Sequence, residues 1–223
     1  PAGGTIIMYD MTVRGGILTD DSGAGLQASG FIQLLSVALK NNTVLGTLSA
    51  SVGGGGRAAP GSTLALYDCH IADNSADRGG GLFAALGAAV TLSRTAVTGN
   101  HARVSGGIHT YGPVNAWNST LSGNTSAFQG AALTVDGATA EFHLSTIADT
   151  RGGLGGAVQV ESTALCHFAQ SIVAGNTPAN CAVVGTVQSA GWNFEETDTC
   201  GLHGATDKPN TDPRVGLLRR NGG

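Results

Sequence analysis

Residues 97–107 read VTGNHARVSGG, and parts of that stretch recur along the chain. IADNSADRGGG (71–81) comes before it, and LSGNTSAFQGA (121–131) and VAGNTPANCA (173–182) come after it. Each carries an apolar residue, a small flexible residue and then an asparagine. With that asparagine as reference, the equivalent positions are Gly16, Asn42, Asn74, Asn100, Asn124, Thr150 and Asn176, spaced by 26, 32, 26, 24, 26 and 26 residues. Three residues before it stand Val13, Leu39, Ile71, Val97, Leu121, Ile147 and Val173; eight before it stand Met8, Leu34, Leu66, Leu92, Ala116, Phe142 and Phe168.

Apolar residues inside each unit are mostly two apart, with one break of three. That is strand alternation interrupted by a bend, not helical spacing. A period near 25 built of short strands and turns specifies a solenoid. A leucine-rich repeat would show a leucine consensus and a helical half, and a propeller blade needs about 40 residues. The expected fold is therefore all-β: a right-handed, single-stranded parallel β-helix of about seven coils over residues 1–187. An irregular capping segment over 188–223 belongs to the same domain.

Stacking gives the asparagine a purpose. At a turn in every coil, an inward Asn can bond the backbone of its own turn and the amide of the next coil, satisfying groups that cost about 1–3 kcal/mol each if buried alone. The residue before it is Gly15, Asn41, Asp73, Gly99, Gly123, Asp149 or Gly175. All of these tolerate a left-handed backbone, so Asp73 and Asp149 are assigned to the corner and not to catalysis. Leu82, Ile108, Leu133 and Val158 should point inward, and Phe83, His109, Thr134 and Gln159 outward. The six-residue excess of the second step falls in 47–61, read as a loop bulging from the rod.

Composition agrees with this reading. The 223 residues include 36 Gly, only 5% aromatic and 12% charged residues, with 41% apolar. Many tight turns and a core of small side chains follow. Eleven basic against fifteen acidic residues argue against a nucleic-acid surface. No apolar run is long enough to span a membrane. The chain opens on Pro1 with no charged-then-apolar leader, as a mature product or an excised piece would. Cys69 and Cys166 occupy apolar repeat positions, whereas Cys181 and Cys200 lie in a polar C-terminal segment and are free to pair with one another.

These units resemble the β-helix repeats of secreted bacterial proteins with a pectate-lyase-like fold, in particular polymorphic outer-membrane and choice-of-anchor surface proteins. STLSGNTS (119–126), the apolar–Gly–Asn corner and the GGG-apolar strand start carry the likeness over nearly the whole chain. SIVAGNTPANC (171–181), GWNF (191–194), DTCG (198–201) and TDPRVGLLRRNGG (211–223) are similar to the usual end of such arrays. The resemblance implies export to the cell surface or the extracellular space, a Cys181–Cys200 bridge, and a sequence that continues beyond Gly223. It does not imply an activity, because the fold hosts lyases, hydrolases, isomerases and adhesins alike.

A solenoid carries its sites on outward residues of neighbouring coils. The densest set lies in the third to fifth coils: Asp77, Arg78, His101, Arg103, His109 and Tyr111, with Asp136 and Glu161 near the equivalent strand end further on. Arg, His and Tyr together suit an acidic polysaccharide. Uronate β-elimination needs a cation to neutralise the carboxylate (Arg103, Arg78), a base (His109, His101) and an acid for the leaving oxygen (Tyr111). Glycoside hydrolysis needs two carboxylates at a set separation, for which Asp136 and Glu161 are the nearest pair. Trp117 and Tyr67, seven residues before their asparagines, form an aromatic stripe suited to sugar rings or to a covering partner. No metal cluster is evident, and the glycine runs lack the Lys-Ser/Thr of a phosphate loop. Calcium remains open, since TDDSGAG (19–25) is a fragment of a calcium loop without its terminal Glu. The expected state is a monomer that engages an acidic polysaccharide, with a non-catalytic adhesin or spacer as the rival and a hydrolase third.

Overall fold

The computed structural model describes residues 4–46 and 51–216, and within them the chain is all strand and turn, with no helix. The strands stack in parallel as a β-solenoid of about seven turns. Four walls result. The first runs from Thr5–Tyr9 to Thr186–Ser189 and the second from Thr12–Arg14 to Phe194–Glu195, each with eight strands. The third runs from Ile17–Thr19 to Thr125–Ser126 with five strands, and the fourth from Leu26–Ala28 to Cys181–Val183 with seven.

Register follows the repeat. Val90 pairs with Leu64 on one side and Val114 on the other, and Val97 with Ile71 and Leu121. Inward residues of the first, second and fourth walls merge into one core, in which Leu82, Ile108, Leu133 and Val158 are fully buried. Phe142 and Phe168 stack inside it at 5.5 Å. Cys69 and Cys166 are buried there as small apolar residues.

Every residue preceding the asparagine position has positive φ, from Gly15 at 70° to Asn41 at 53°, with Asp73 and Asp149 at 55°. The asparagines from Asn42 to Asn124 form a continuous ladder. Asn42, Asn74 and Asn100 each donate from backbone N and from Nδ2 to Oδ1 of the next asparagine, all at 3.0 Å. The same Nδ2 groups reach carbonyls of the preceding coil, Asn100 to Ile71 at 2.9 Å. The backbone partner is thus the coil below, not the residue's own turn. A second column was present in the sequence without its meaning being evident. Cys69, Thr95, Ser119, Ser145 and Ser171 each take the next member's side-chain oxygen on their backbone N–H, and the column ends on Asn193.

The segment after the excess corrects one expectation. Residues 51–56 are buried, and Gly56–Ala58 is a strand of the fourth wall between Leu26–Ala28 and Leu82–Ala84. Thr43 pairs with Ser75, 32 positions on, whereas Val52 bridges Arg78, 26 positions on. The six extra residues therefore lie between Leu45 and Val52, and 47–50 of the expected loop lie outside the described residues. Glycine is obligatory in this wall, since a Cβ on Gly54 would sit 2.4 Å from the Ser75 carbonyl oxygen.

At the C-terminal end Cys181 is disulfide-bonded to Cys200, and Leu202 is buried against the end of the core. Glu195, fully buried, accepts from the backbone of Thr199 at 2.7 Å and of Cys200 at 2.9 Å. The LLRRNGG end (217–223) that contributes to the sequence resemblance lies outside the described residues.

Candidate functional site: a cationic groove between two walls

Alternation aims Arg57, Phe83, His109 and Thr134 away from the core, in register on successive coils of the fourth wall. They are nevertheless covered: Phe83 is 8% exposed, His109 2% and Thr134 1%. The outer surface is concave where the third and fourth walls meet, so outward side chains there pack on one another. Val52, Phe83, Ala85 and Tyr111 form a small apolar cluster outside the main core. The outward direction read from the sequence holds, but solvation does not follow from it.

The floor of this concavity is a chain of charges. Asp77, buried, receives a bidentate pair from Arg103, Nε to Oδ1 at 2.6 Å and Nη2 to Oδ2 at 3.1 Å. Hydrogen bonding to Asp77 raises the pKa of Arg103 further. Arg78 stands 4.0 Å from the same carboxylate and donates from Nη1 to the Tyr111 hydroxyl at 3.2 Å. The guanidinium of Arg103 also lies 5.6 Å from the centroid of the Phe128 ring.

His109 is held from three sides. Its ring stacks on Phe83 at 5.5 Å and tilts against Tyr111 at 4.9 Å. Ser105 Oγ lies 3.0 Å from Nδ1 and donates its own proton to Thr134 Oγ1 at 2.5 Å. With that proton committed, Nδ1 carries the imidazole hydrogen and Nε2 is a bare lone pair. Burial, and then the Arg78 guanidinium, push the imidazole down to about 3. The ring is neutral near pH 7.

Two connected hollows open along this line. One, of about 370 Å³, is lined by Arg78, Arg103, His109, Tyr111, Phe128 and Asp136, among others. The other, of about 310 Å³, is lined by Ser22, Val52, Arg57, Phe83 and Tyr111, among others. Tyr111 is the shared wall. Among the described residues, five buried side-chain polar atoms lack a hydrogen-bond partner, and three of them belong to this groove: Arg57 Nε, Arg78 Nε and His109 Nε2. Buried polar groups are nearly always satisfied, so this concentration singles the groove out as the candidate site.

Six residues chosen from the sequence therefore meet here: Asp77, Arg78, Arg103, His109, Tyr111 and Asp136. The others lie elsewhere. His101 is exposed, bonds Thr125 Oγ1 at 2.9 Å and does not line the groove. Glu161 accepts from Gln129 Nε2 at 3.0 Å and reaches the groove only through that residue. Tyr67 and Trp117 stand on the first wall, where Trp117 stacks on His143 at 4.0 Å. His143 is not simply solvated, for its Nε2 is buried. Arg57, Ser105, Phe128 and Gln129 are groove residues that sequence reasoning missed. The signal for Arg57 was GGGGRAA (53–59), which aligns with GGGLFAA (79–85).

No group of three or more His, Cys, Asp or Glu side chains suited to a metal ion occurs among the described residues. Asp21 of the calcium-loop fragment accepts from the backbone N–H of Ser22 at 2.8 Å. No protein-family model matches the chain, and neither the curated proteins nor the solved structures gave a match. The family resemblance drawn from the repeats thus has support in the fold and none beyond it.

Proposed function

We propose that this β-solenoid binds an acidic polysaccharide in the groove between its third and fourth walls, as an exported surface or extracellular protein. The observation that carries the reading is the set of three unpartnered buried nitrogens, Arg57 Nε, Arg78 Nε and His109 Nε2, in one groove. Arg57 on the fourth wall and Arg78 and Arg103 on the third sit on three successive coils and line the two hollows. A polymer with a carboxylate on each sugar presents several charges to such a set, and guanidinium forks match carboxylates geometrically. Phe83, Tyr111 and Phe128 offer ring surfaces for the apolar faces of sugars. The neutral His109 accepts a hydroxyl hydrogen bond without repelling the cations around it. A disulfide fits an oxidising compartment.

Binding without cleavage is the leading form of this reading. A base held at about 3 is weak. Hydrolysis lacks a pair, because Glu161 is committed to Gln129 and leaves Asp136 alone at the groove. Elimination has one observation in its favour, the Tyr111 hydroxyl bonded to the Arg78 guanidinium at the groove wall. There, Arg78 and Arg103 would neutralise the sugar carboxylate while Tyr111 handles the proton.

Calorimetric titration with defined oligouronates tests the proposal. Binding that weakens with added salt and is lost in Arg78→Gln is expected. Absence of binding to every uronate oligomer contradicts it. The ultraviolet absorbance of unsaturated uronates, read in parallel, selects elimination if it rises and adhesion if it stays flat.

A further inference from the structure

The first wall presents a surface of a different character. Its outward residues over the first five coils are Thr5, Ile7 and Tyr9; Phe31, Gln33 and Leu35; Thr63, Ala65 and Tyr67; Ala89, Thr91 and Ser93; Asn115 and Trp117. None is charged. Tyr9, Phe31 and Trp117 are 65%, 39% and 47% exposed. In one column of this wall, Tyr9, Leu35, Tyr67, Ser93, Trp117 and His143 follow one another coil by coil.

Trp117 and His143 are parallel within 6° at 4.0 Å, so one face of the indole is occupied. Its other face looks toward the Ser93 coil, where the side chain is too short to fill the layer. The next aromatic in that direction is Tyr67, two coils from Trp117, or roughly 9.6 Å away. A ring between them needs two contacts of about 3.5–4.0 Å. A flat ring would leave slack, whereas a puckered pyranose fills the remaining depth. One side of this slot is closed by Arg94 and Asp68, which pair bidentately at 2.7 Å and remain half-exposed. Arg94 Nη1 reaches Ser93 Oγ at 3.4 Å. The slot therefore combines an aromatic wall, a hydroxyl floor and a donor–acceptor fork of zero net charge.

We infer that the Tyr67–Ser93–Trp117 slot binds a sugar ring of a neutral polysaccharide, a second glycan site separate from the cationic groove. The face carries no unpaired cation: Arg94 is paired with Asp68, and Glu141 stands 3.6 Å from His143 behind Trp117, so an anion finds nothing there, while hydroxyl groups find donors and acceptors along the fork. The inference does not rest on the groove.

The test is Trp117 fluorescence in a Trp192→Phe background, titrated with cello-, manno- and chito-oligosaccharides. At least one should perturb the emission, with an affinity unchanged by salt. Trp117→Ala, followed by calorimetry, and Tyr67→Ala should each weaken that binding about tenfold or more, while Arg78→Gln leaves it intact. Both side chains project outward, and circular dichroism confirms that the variants fold. No response to any neutral oligosaccharide overturns the inference, as does binding that survives Trp117→Ala. Self-association that disappears in Trp117→Ala overturns it too, by assigning the face to a second copy of the chain. Loss of groove binding alone leaves this site standing.

Discussion

Two rows of buried polar groups run along this rod, and they differ in one respect. In the asparagine column each amide of Asn42, Asn74 and Asn100 gives to the coil below and to the coil above; Oδ1 of Asn74 and of Asn100 takes two hydrogen bonds from the preceding member, and Oδ1 of Asn42 takes one from Gly16. In the groove row, His109 is covered while Arg57 and Arg78 are half-buried, and each keeps one buried nitrogen without a hydrogen bond. Both rows arise from the same stacking. A column of one residue type with donors and acceptors in equal number satisfies itself and stabilises. A row of mixed types drawn from two walls cannot do so, and the proposed ligand would use the groups it leaves over.

That contrast can be broken by experiment, and the largest effect should come from His109. Its folded pKa lies near 3 against an ordinary value of 6.5. The unfolded chain thus binds the extra proton first. Stability is complete above about pH 6.5 and falls as pH drops toward about 3, by on the order of 4 kcal/mol from this residue. Chemical denaturation at a series of pH values should show this slope in the wild type and a flatter one in His109→Gln.

Interrupting the satisfied row comes next. Asn100→Ala orphans the backbone N–H of Asn74 and the carbonyl of Ile71, and should cost about 3 kcal/mol in denaturant unfolding. Oligouronate affinity should not change below the unfolding range. Opening the Cys181–Cys200 bridge, which joins positions 19 apart, releases Asn180, which terminates the asparagine column by accepting from Asn176. Cys181→Ser with Cys200→Ser should lower stability by about 2–3 kcal/mol and leave the groove untouched. The smallest effect is a gain. Leu144 is held at φ 51° with its side chain 55% exposed, and Leu144→Asn should raise stability by about 1 kcal/mol by relieving the left-handed corner. A thermal melt reads it.

The fold was legible because its signal is repeated. Seven asparagine-type corners, each preceded by Gly, Asn or Asp, leave few alternatives to stacked coils, and all seven of those preceding residues have positive φ. The groove was legible in part. Arg78, Arg103, His109 and Tyr111 were recognisable as chemistry on neighbouring coils. Arg57 was hidden, because an insertion a few residues upstream displaced the count and made its strand look like loop. Burial of His109 and Phe83 was illegible for a different reason. Alternation tells which way a side chain leaves the strand, but whether the outside is open depends on the angle between two walls, which no single strand encodes. Ser105, which fixes the His109 tautomer, reads in the sequence as one more polar residue of a glycine-rich turn.

The most direct test compares the two rows in one sample. Nitrogen NMR of the labelled protein near pH 7 should show His109 protonated at Nδ1 and bare at Nε2. Adding an acidic oligouronate should then move the His109 ring resonances while the side-chain amides of Asn74, Asn100 and Asn124 stay in place. Unmoved His109 resonances at saturating oligouronate, or shifts confined to the asparagine amides, would contradict the assignment of the unpartnered row to a ligand.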